Sequence, residues 1–249
     1  MKFVRRIVEL ILCLIVLFCI FQIGYKQFSY YENDKENKEI QKIVKDNENI
    51  ENIDNKLKEI NNEYKLWINI PNTKINYPVV QTNNNEYYLN HSFKKENNSG
   101  GALFIYDKYN LKNSKNLIIF GHNMRNDSMF GTLSLFKNKE FFKENSFINI
   151  IIGDYVYIYK VFGVSTMKAD DFDINDNFKN KKDLDDYLSN LKKHSDNWEN
   201  KDITMDTNLL TLYTCTYEFD DARLILTSEL VKKVKLTESY IKNINENMN

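Results

Sequence analysis

Residues 7–25 restrict this chain more than any other stretch, because they are apolar almost without interruption. At about 1.5 Å per residue they form a helix roughly 28 Å long, close to the hydrocarbon thickness of a bilayer. Glu9 lies within one turn of the N-terminal end, near enough for its carboxylate to reach the interface. Lys2, Arg5 and Arg6 precede the run, which places the N-terminus in the cytoplasm and everything after Tyr25 outside. A cleaved signal peptide has an apolar core of only about 7–15 residues and small residues at its cleavage site. Here the run is longer, and Gly24-Tyr25-Lys26-Gln27-Phe28 offers no such site. The expectation is a cytoplasmic tail over 1–6, a single uncleaved transmembrane helix over 7–25, and an exported remainder.

The next segment, 26–62, is polar, mixed in charge and free of proline. Ile50, Ile53, Leu57 and Ile60 recur at spacings of three and four, the signature of one helical face. This predicts a helical stalk that docks its apolar face on the following domain, assigned to 63–249. From Tyr64 the texture changes to short β-favouring runs: 65–70, 76–80, 102–106, 116–120, 147–151, 155–162, 208–213 and 223–227. Polar and glycine-containing clusters separate them, and Ile151-Ile152-Gly153-Asp154-Tyr155 reads as a hairpin turn. Eight short strands predict a mostly β domain built as a closed or nearly closed barrel. Met129, Phe130, Leu133 and Phe136 suggest a short helix after the fourth strand. Leu184, Tyr187, Leu188 and Leu191 mark a helix inserted between the sixth and seventh.

A formal net charge of -1 argues against a nucleic-acid partner, which would favour a basic patch. Of three cysteines, Cys13 and Cys19 lie in the apolar run, where thiols behave as small hydrophobes. Cys215 is then alone in the exported part, with neither a disulfide partner nor a CxxC metal pattern. It ends the β-favouring run Thr211-Leu212-Tyr213-Thr214-Cys215. Arg223, one of four arginines among thirty-four basic residues, opens the next run. A cysteine nucleophile reacts as thiolate and needs a nearby cation or base. Of the histidines, His91 lies in a polar loop and His194 in the charged tail of the inserted helix. His122 follows a strand directly, in Ile118-Ile119-Phe120-Gly121-His122, and is the best-placed partner. Taken singly, each residue has a plain alternative: a structural thiol, a surface histidine, or an arginine paired with Asp220 or Asp221 for about 0–1 kcal/mol. Together they point to a Cys-His-Arg site at strand ends.

With those motifs in view, the chain resembles the sortases, and within them class B. Thr211-Leu212-Tyr213-Thr214-Cys215 is similar to the family's TLxTC signature, Arg223 falls where the family has its arginine, and Gly121-His122 resembles its histidine site. Asn76-Tyr77-Pro78-Val79-Val80-Gln81, Tyr88-Leu89-Asn90 and the inserted helix are also similar to class B sequence. The likeness spans roughly residues 64–232, plus the anchor. It implies an eight-stranded sortase-type β-barrel with N-terminal helices. It also implies a membrane-anchored transpeptidase facing the cell wall, whose partners are surface proteins bearing a C-terminal sorting signal and an amine of a peptidoglycan precursor. Cys215 would form a thioester with a substrate threonine, His122 would serve as acid and base, and Arg223 would hold the substrate and its oxyanion, helped by a backbone N–H near Cys215. Asn90, Tyr213 and Thr214 would contact substrate. Tyr213 departs from the small hydroxyl residue many relatives carry there, and Thr216 from the acid some class B members have.

No cofactor and no metal is expected. The acids Asp170, Asp171 and Asp173 precede the inserted helix without an EF-hand pattern and read as a helix N-terminal charge cluster. Two other readings remain open from sequence: a cysteine peptidase that hydrolyses its thioester, and a non-enzymatic surface-binding module with Cys215 buried.

Overall fold

The computed structural model describes residues 2–46, 50–110, 112–237 and 240. Helix α1 runs unbroken over Lys2–Lys45, and α2 spans Ile50–Ile60. The strands are β1 (Tyr64–Asn69), β2 (Asn76–Val80), β3 (Leu103–Ile105), β4 (Asn116–Phe120), β5 (Phe147–Ile152), β6 (Tyr155–Lys168), β7 (Ser195–Trp198), β8 (Leu209–Cys215) and β9 (Ala222–Lys235). Two further helices, α3 (Lys139–Glu144) and α4 (Lys181–Lys193), lie between them.

Eight strands close a barrel in the order β5-β1-β2-β3-β4-β8-β9-β6, with β6 pairing back onto β5. The β2–β3 and β4–β8 pairs are parallel and the others antiparallel. The ninth strand, β7, continues the line of β5 along the second half of β6. The sequence does not announce it, because Ser195-Asp196-Asn197-Trp198 carries little β-favouring character. The expected turn after β5 is present, with Ile152 opposite Tyr155 and Gly153 at φ +51°.

Side chains alternate between the barrel interior and an outer shell, as a period of two demands. Leu66, Ile68, Ile119, Leu210 and Leu212 share the interior. Trp67, Ile118 and Phe120 point outward and pack with Ile40 and Val44 of α1 and Ile53 and Leu57 of α2. Leu209 and Ile225 face outward beneath Leu184, Tyr187 and Leu191 of α4. Both faces of these strands are thus covered, which is why they read as continuous apolar runs.

The short helix expected after β4 is present as a 3-10 helix, Gly131–Lys137, preceded by Met129 at φ +51°. One expectation is corrected. Asp170 and Asp171 lie in a separate 3-10 turn, Ala169–Asp171, that ends β6. They are not the start of the inserted helix, whose first turn is capped by the side chain of Asn180 accepting from Asp183 N. The helical stretch beyond residue 25 packs on the barrel, with Ile53 and Leu57 buried beside Trp67 and Ile118. α1 passes through residue 25 without a break and lies along the barrel, where Asn33 donates to Asn98 Oδ1 (2.9 Å) and Gln41 to Asn76 O (2.8 Å). The side chain of Ile50 lies outside the described residues.

Burial pushes the phenols of Tyr77, Tyr109 and Tyr187 up from their ordinary 10.0 to about 12. Unfolded phenols ionise first, so this contribution to stability is complete below pH 10 and is lost as pH rises toward about 12. Urea denaturation across that interval should show unfolding free energy falling steadily. A flat profile would mean the rings are not buried as described.

Candidate active site

Cys215 is the last residue of β8, and its register partner on β9 is Arg223. The two side chains therefore leave the same face of an antiparallel pair at neighbouring positions. On the other side of β8 lies β4, parallel to it, with Phe120 opposite Tyr213. The alignment continues past the strand ends: Gly121 N donates to Tyr213 O (3.3 Å), and Thr214 Oγ1 donates to Gly121 O (2.7 Å). Asn123 Nδ2 donates to Cys215 O (2.9 Å). Extending the register by two residues sets His122 alongside Cys215. Thus β4, β8 and β9 deliver one histidine, one thiol and one guanidinium to a single rim of the barrel.

His122 is oriented by backbone. Its Nε2 lies 2.6 Å from the carbonyl oxygen of Leu89. A carbonyl only accepts, so this contact fixes the proton on Nε2 and leaves Nδ1 as the basic nitrogen. Leu89 ends a 3-10 turn, Tyr87–Leu89, whose middle residue Tyr88 is fully buried. The Tyr88 hydroxyl accepts from Asn61 Nδ2 (2.8 Å) and donates to Glu63 Oε2 (2.5 Å), so the turn is pinned to the start of β1. Gly101 closes against it at φ +59°, where a Cβ would stand 2.3 Å from Tyr88 O.

Arg223 is mostly covered, with 20% of its side chain exposed. Its Nη2 pairs with Asp221 Oδ1 at 2.7 Å, and Nη1 donates to Ala222 O at 3.1 Å. Burial works against its charge, but Cys215, Tyr213 and Asp221 outweigh that and raise its pKa. Burial likewise raises the Tyr213 phenol, and the Arg223 guanidinium draws it partly back. Cys215 itself is exposed, as a reacting thiol must be and a structural one need not.

The remaining expected residues fall in different places. Tyr213 is half-buried between Phe120 and Phe172, with ring centroids 5.3 and 5.4 Å away. Thr214 is buried and its hydroxyl is committed to Gly121 O. Asn90 is exposed next to Leu89. Thr216 N donates to Ala222 O (3.0 Å), so that backbone N–H is occupied. Where an acid was missing after the cysteine, Thr216 donates its hydroxyl to the carboxylate of Glu218, which also pairs with Lys137. The other histidines lie elsewhere. His91 stacks on Tyr87 at 4.1 Å and 6°, and His194 caps α4. Among the described residues, no three His, Cys, Asp or Glu side chains gather to hold a metal.

A family model for the sortase domain matches residues 68–231. The chain is a sortase. It is 32% identical to sortase B of Listeria monocytogenes over 180 residues, which cover 71% of this chain and 73% of that protein. The crystal structure of sortase B from Bacillus anthracis matches 82% of this chain and 99% of its own, at 30% identity and TM-score 0.73. That of Clostridium perfringens sortase B matches 72% and 100%, at 34% identity and TM-score 0.68. These likenesses place the sortase in class B and make it a cysteine transpeptidase of the sortase type.

Two parts of this rim were not singled out from sequence: the Leu89 carbonyl and the Asn123 amide. A carbonyl leaves no mark on residue type, and Asn123 is one asparagine in an asparagine-rich chain. Asn123 ties the loop carrying His122 to the strand carrying Cys215, and Tyr217 OH donates back to Asn123 O (3.2 Å). Asn123→Ala should cost about 1 kcal/mol of stability or less. By loosening the spacing it should lower kcat about tenfold or more, with KM for a sorting peptide little changed. Steady-state kinetics beside thermal denaturation tests this, and an unchanged kcat would remove Asn123 from the positioning machinery.

Proposed function

We propose that this sortase cleaves the C-terminal sorting signal of exported surface proteins through a thioester on Cys215 and transfers the acyl group to an amine of a peptidoglycan precursor. The observation that carries this reading is the register of β4, β8 and β9, which sets His122 and Arg223 on either side of one exposed thiol. Residues 7–25 serve as the anchor, with the N-terminus in the cytoplasm and the barrel facing the wall. Residues 63–249 form the catalytic domain.

The steps follow from the groups present. Cys215 gives its thiol proton to Nδ1 of His122, Sγ attacks the carbonyl of the substrate threonine, and the tetrahedral oxyanion forms beside Arg223. Asp221 holds that guanidinium at the rim, but its own side chain is 53% exposed. Such a pair is worth about 1 kcal/mol or less, so a substrate carbonyl displaces it at little cost. A fixed, always-charged fork then meets charge as it develops. His122 gives its Nδ1 proton to the leaving amine, the C–N bond breaks and the thioester remains. The incoming amine loses its proton to the same nitrogen as it attacks, and Cys215 leaves as thiolate. Throughout, the Leu89 carbonyl holds the Nε2 proton and steadies the imidazolium whenever it forms, the part a carboxylate plays in a Ser-His-Asp triad. Asn90, exposed beside Leu89, and Tyr213, half-buried behind Cys215, border the path of the sorting peptide. Thr214 serves it by holding the wall.

Cys215→Ala should abolish thioester formation while the domain stays folded. Arg223→Lys keeps the charge but loses the fork and should lower kcat/KM about a hundredfold or more. Mass analysis of products with and without an added amine separates the chemistries. An amine adduct supports transfer, and free acid alone would leave a peptidase.

A further inference from the structure

The cleft that His122 borders has an unexpected second wall. It is lined by His122, Asn123, Arg125 and Tyr217 on the barrel side, and by Gln22, Ile23, Tyr25 and Lys26 on α1. Gln22, Ile23 and Tyr25 belong to the last turn of the apolar run. The reactive rim is thus level with the end of the membrane helix. From Phe3 to Phe28 every residue of α1 is exposed. Burial against the barrel begins at Ser29 and Tyr30 and continues through Asn33 and Ile40 to Val44. Docking therefore starts four residues, about 6 Å, beyond Tyr25 and extends about 22 Å along α1 away from the span. The barrel hangs from this helix with its reactive end lowest.

The residues exposed at that end suit an interface. Leu89, Tyr217 and Phe219 are 40, 67 and 43% exposed around the mouth. Arg125 lies over the Tyr217 ring at 6.0 Å, and Lys26 borders the same cleft. Aromatic rings with basic groups beside them favour the headgroup layer, where the ring body and the charged tip are both satisfied.

We propose that the mouth of the Cys215 site rests against the outer phospholipid headgroups, held at that height by the unbroken α1, so that substrates tethered in the membrane reach the thiol from below. This rests on the reading of residues 7–25 as the anchor and of Cys215 as nucleophile. Helix continuity is what makes the height fixed: a helix transmits position along its axis, whereas a flexible linker would let the domain wander.

The test uses the full chain in mixed phosphatidylcholine–phosphatidylglycerol vesicles. A fluorophore is placed on Tyr217→Cys or, as the far-end control, on Asp46→Cys, with Cys13, Cys19 and Cys215 replaced by Ser, Ser and Ala. Lipids carrying a nitroxide on the headgroup should quench the label at 217 strongly and the label at 46, about 30 Å farther along α1, hardly at all. Equal quenching at both positions, none at 217, or loss of signal at 217 that depends on protein concentration without nitroxide would overturn the proposal, the last in favour of self-association. A Gly-Ser insert between Gln27 and Phe28, past the span and before the docked stretch, should release the domain and weaken quenching at 217, and undiminished quenching would show that α1 does not set the height. With Cys215 present, the same insert should leave cleavage of a soluble sorting peptide within about twofold. It should cut cleavage of that peptide fused to a membrane helix about tenfold, since only the tethered substrate gains from a fixed height. Quenching needs no turnover, so failure of the soluble-peptide assay in the otherwise unaltered enzyme would count against the proposed reaction and leave the surface contact standing.

Discussion

The parallel pairing of β4 with β8 is the interaction on which the rest depends. Parallel neighbours cannot be joined by a tight hairpin, so nothing local fixes their register. A slip of one residue would turn every side chain to the opposite face and separate His122 from Cys215. Two polar devices hold the register. Near the start of the pair, Asn116 bonds Thr211 and Tyr187, with Thr211 Oγ1 donating to Asn116 Oδ1 at 2.9 Å in a buried triad that also holds α4. At the far end, Thr214 and Gly121 bond across the strands, and the amide of Asn123 closes on Cys215. Buried polar groups are costly to leave unpaired, so they penalise a slipped register more sharply than interchangeable leucines and isoleucines can. Gly121 belongs to the same device. A Cβ there would fall 2.2 Å from Leu103 Cδ2 and 2.8 Å from the Phe130 ring, so the chain can pass only without one.

The strands were legible because both of their faces are buried. β2 and β4 begin and end where their apolar runs do, and the Gly153 turn falls where its residue type demands. β6 and β9 run well past their apolar stretches, because the later residues of each pair through the backbone with the apolar early residues of the other, whatever their own side chains: 163–168 of β6 with 222–227 of β9, and 228–235 of β9 with 155–161 of β6. The same reason hides β7. The apolar spacings that mark the short helix after β4 fit a 3-10 and an α-helix alike in so short a segment, so they announce the helix and not its type. The thiol, histidine and arginine of the site were visible as rare residue types at strand ends. Their neighbours were not, since what matters at Leu89 is a carbonyl, and at Thr214 a hydroxyl turned into the wall. α1 was divided at residue 25 because composition changes there, and composition carries no information about whether a helix bends.

The three groups proposed to react differ in how they are held, and the difference matches the part proposed for each. Cys215 and Arg223 sit on paired strands, so the backbone beneath them is as fixed as the barrel. The side chain of Arg223 is only lent to Asp221, and it can exchange that partner for a substrate oxygen without moving its backbone. His122 lies beyond the end of β4 and owes its orientation to a turn from elsewhere in the chain. That turn is secured by Tyr88, whose hydroxyl links Asn61 at the end of the α2 segment with Glu63 at the start of β1, while Lys95 pairs with Glu63 at 3.2 Å. The imidazole is thus coupled, through one carbonyl and one buried phenol, to the junction where the N-terminal helices meet the barrel. Removing the Tyr88 hydroxyl leaves the buried Asn61 amide and the half-buried Glu63 carboxylate each short of a partner and frees the turn to shift. The expected consequence is a histidine misplaced by a change that touches neither the ring nor the thiol. For that reason the N-terminal helices take part in positioning the candidate site.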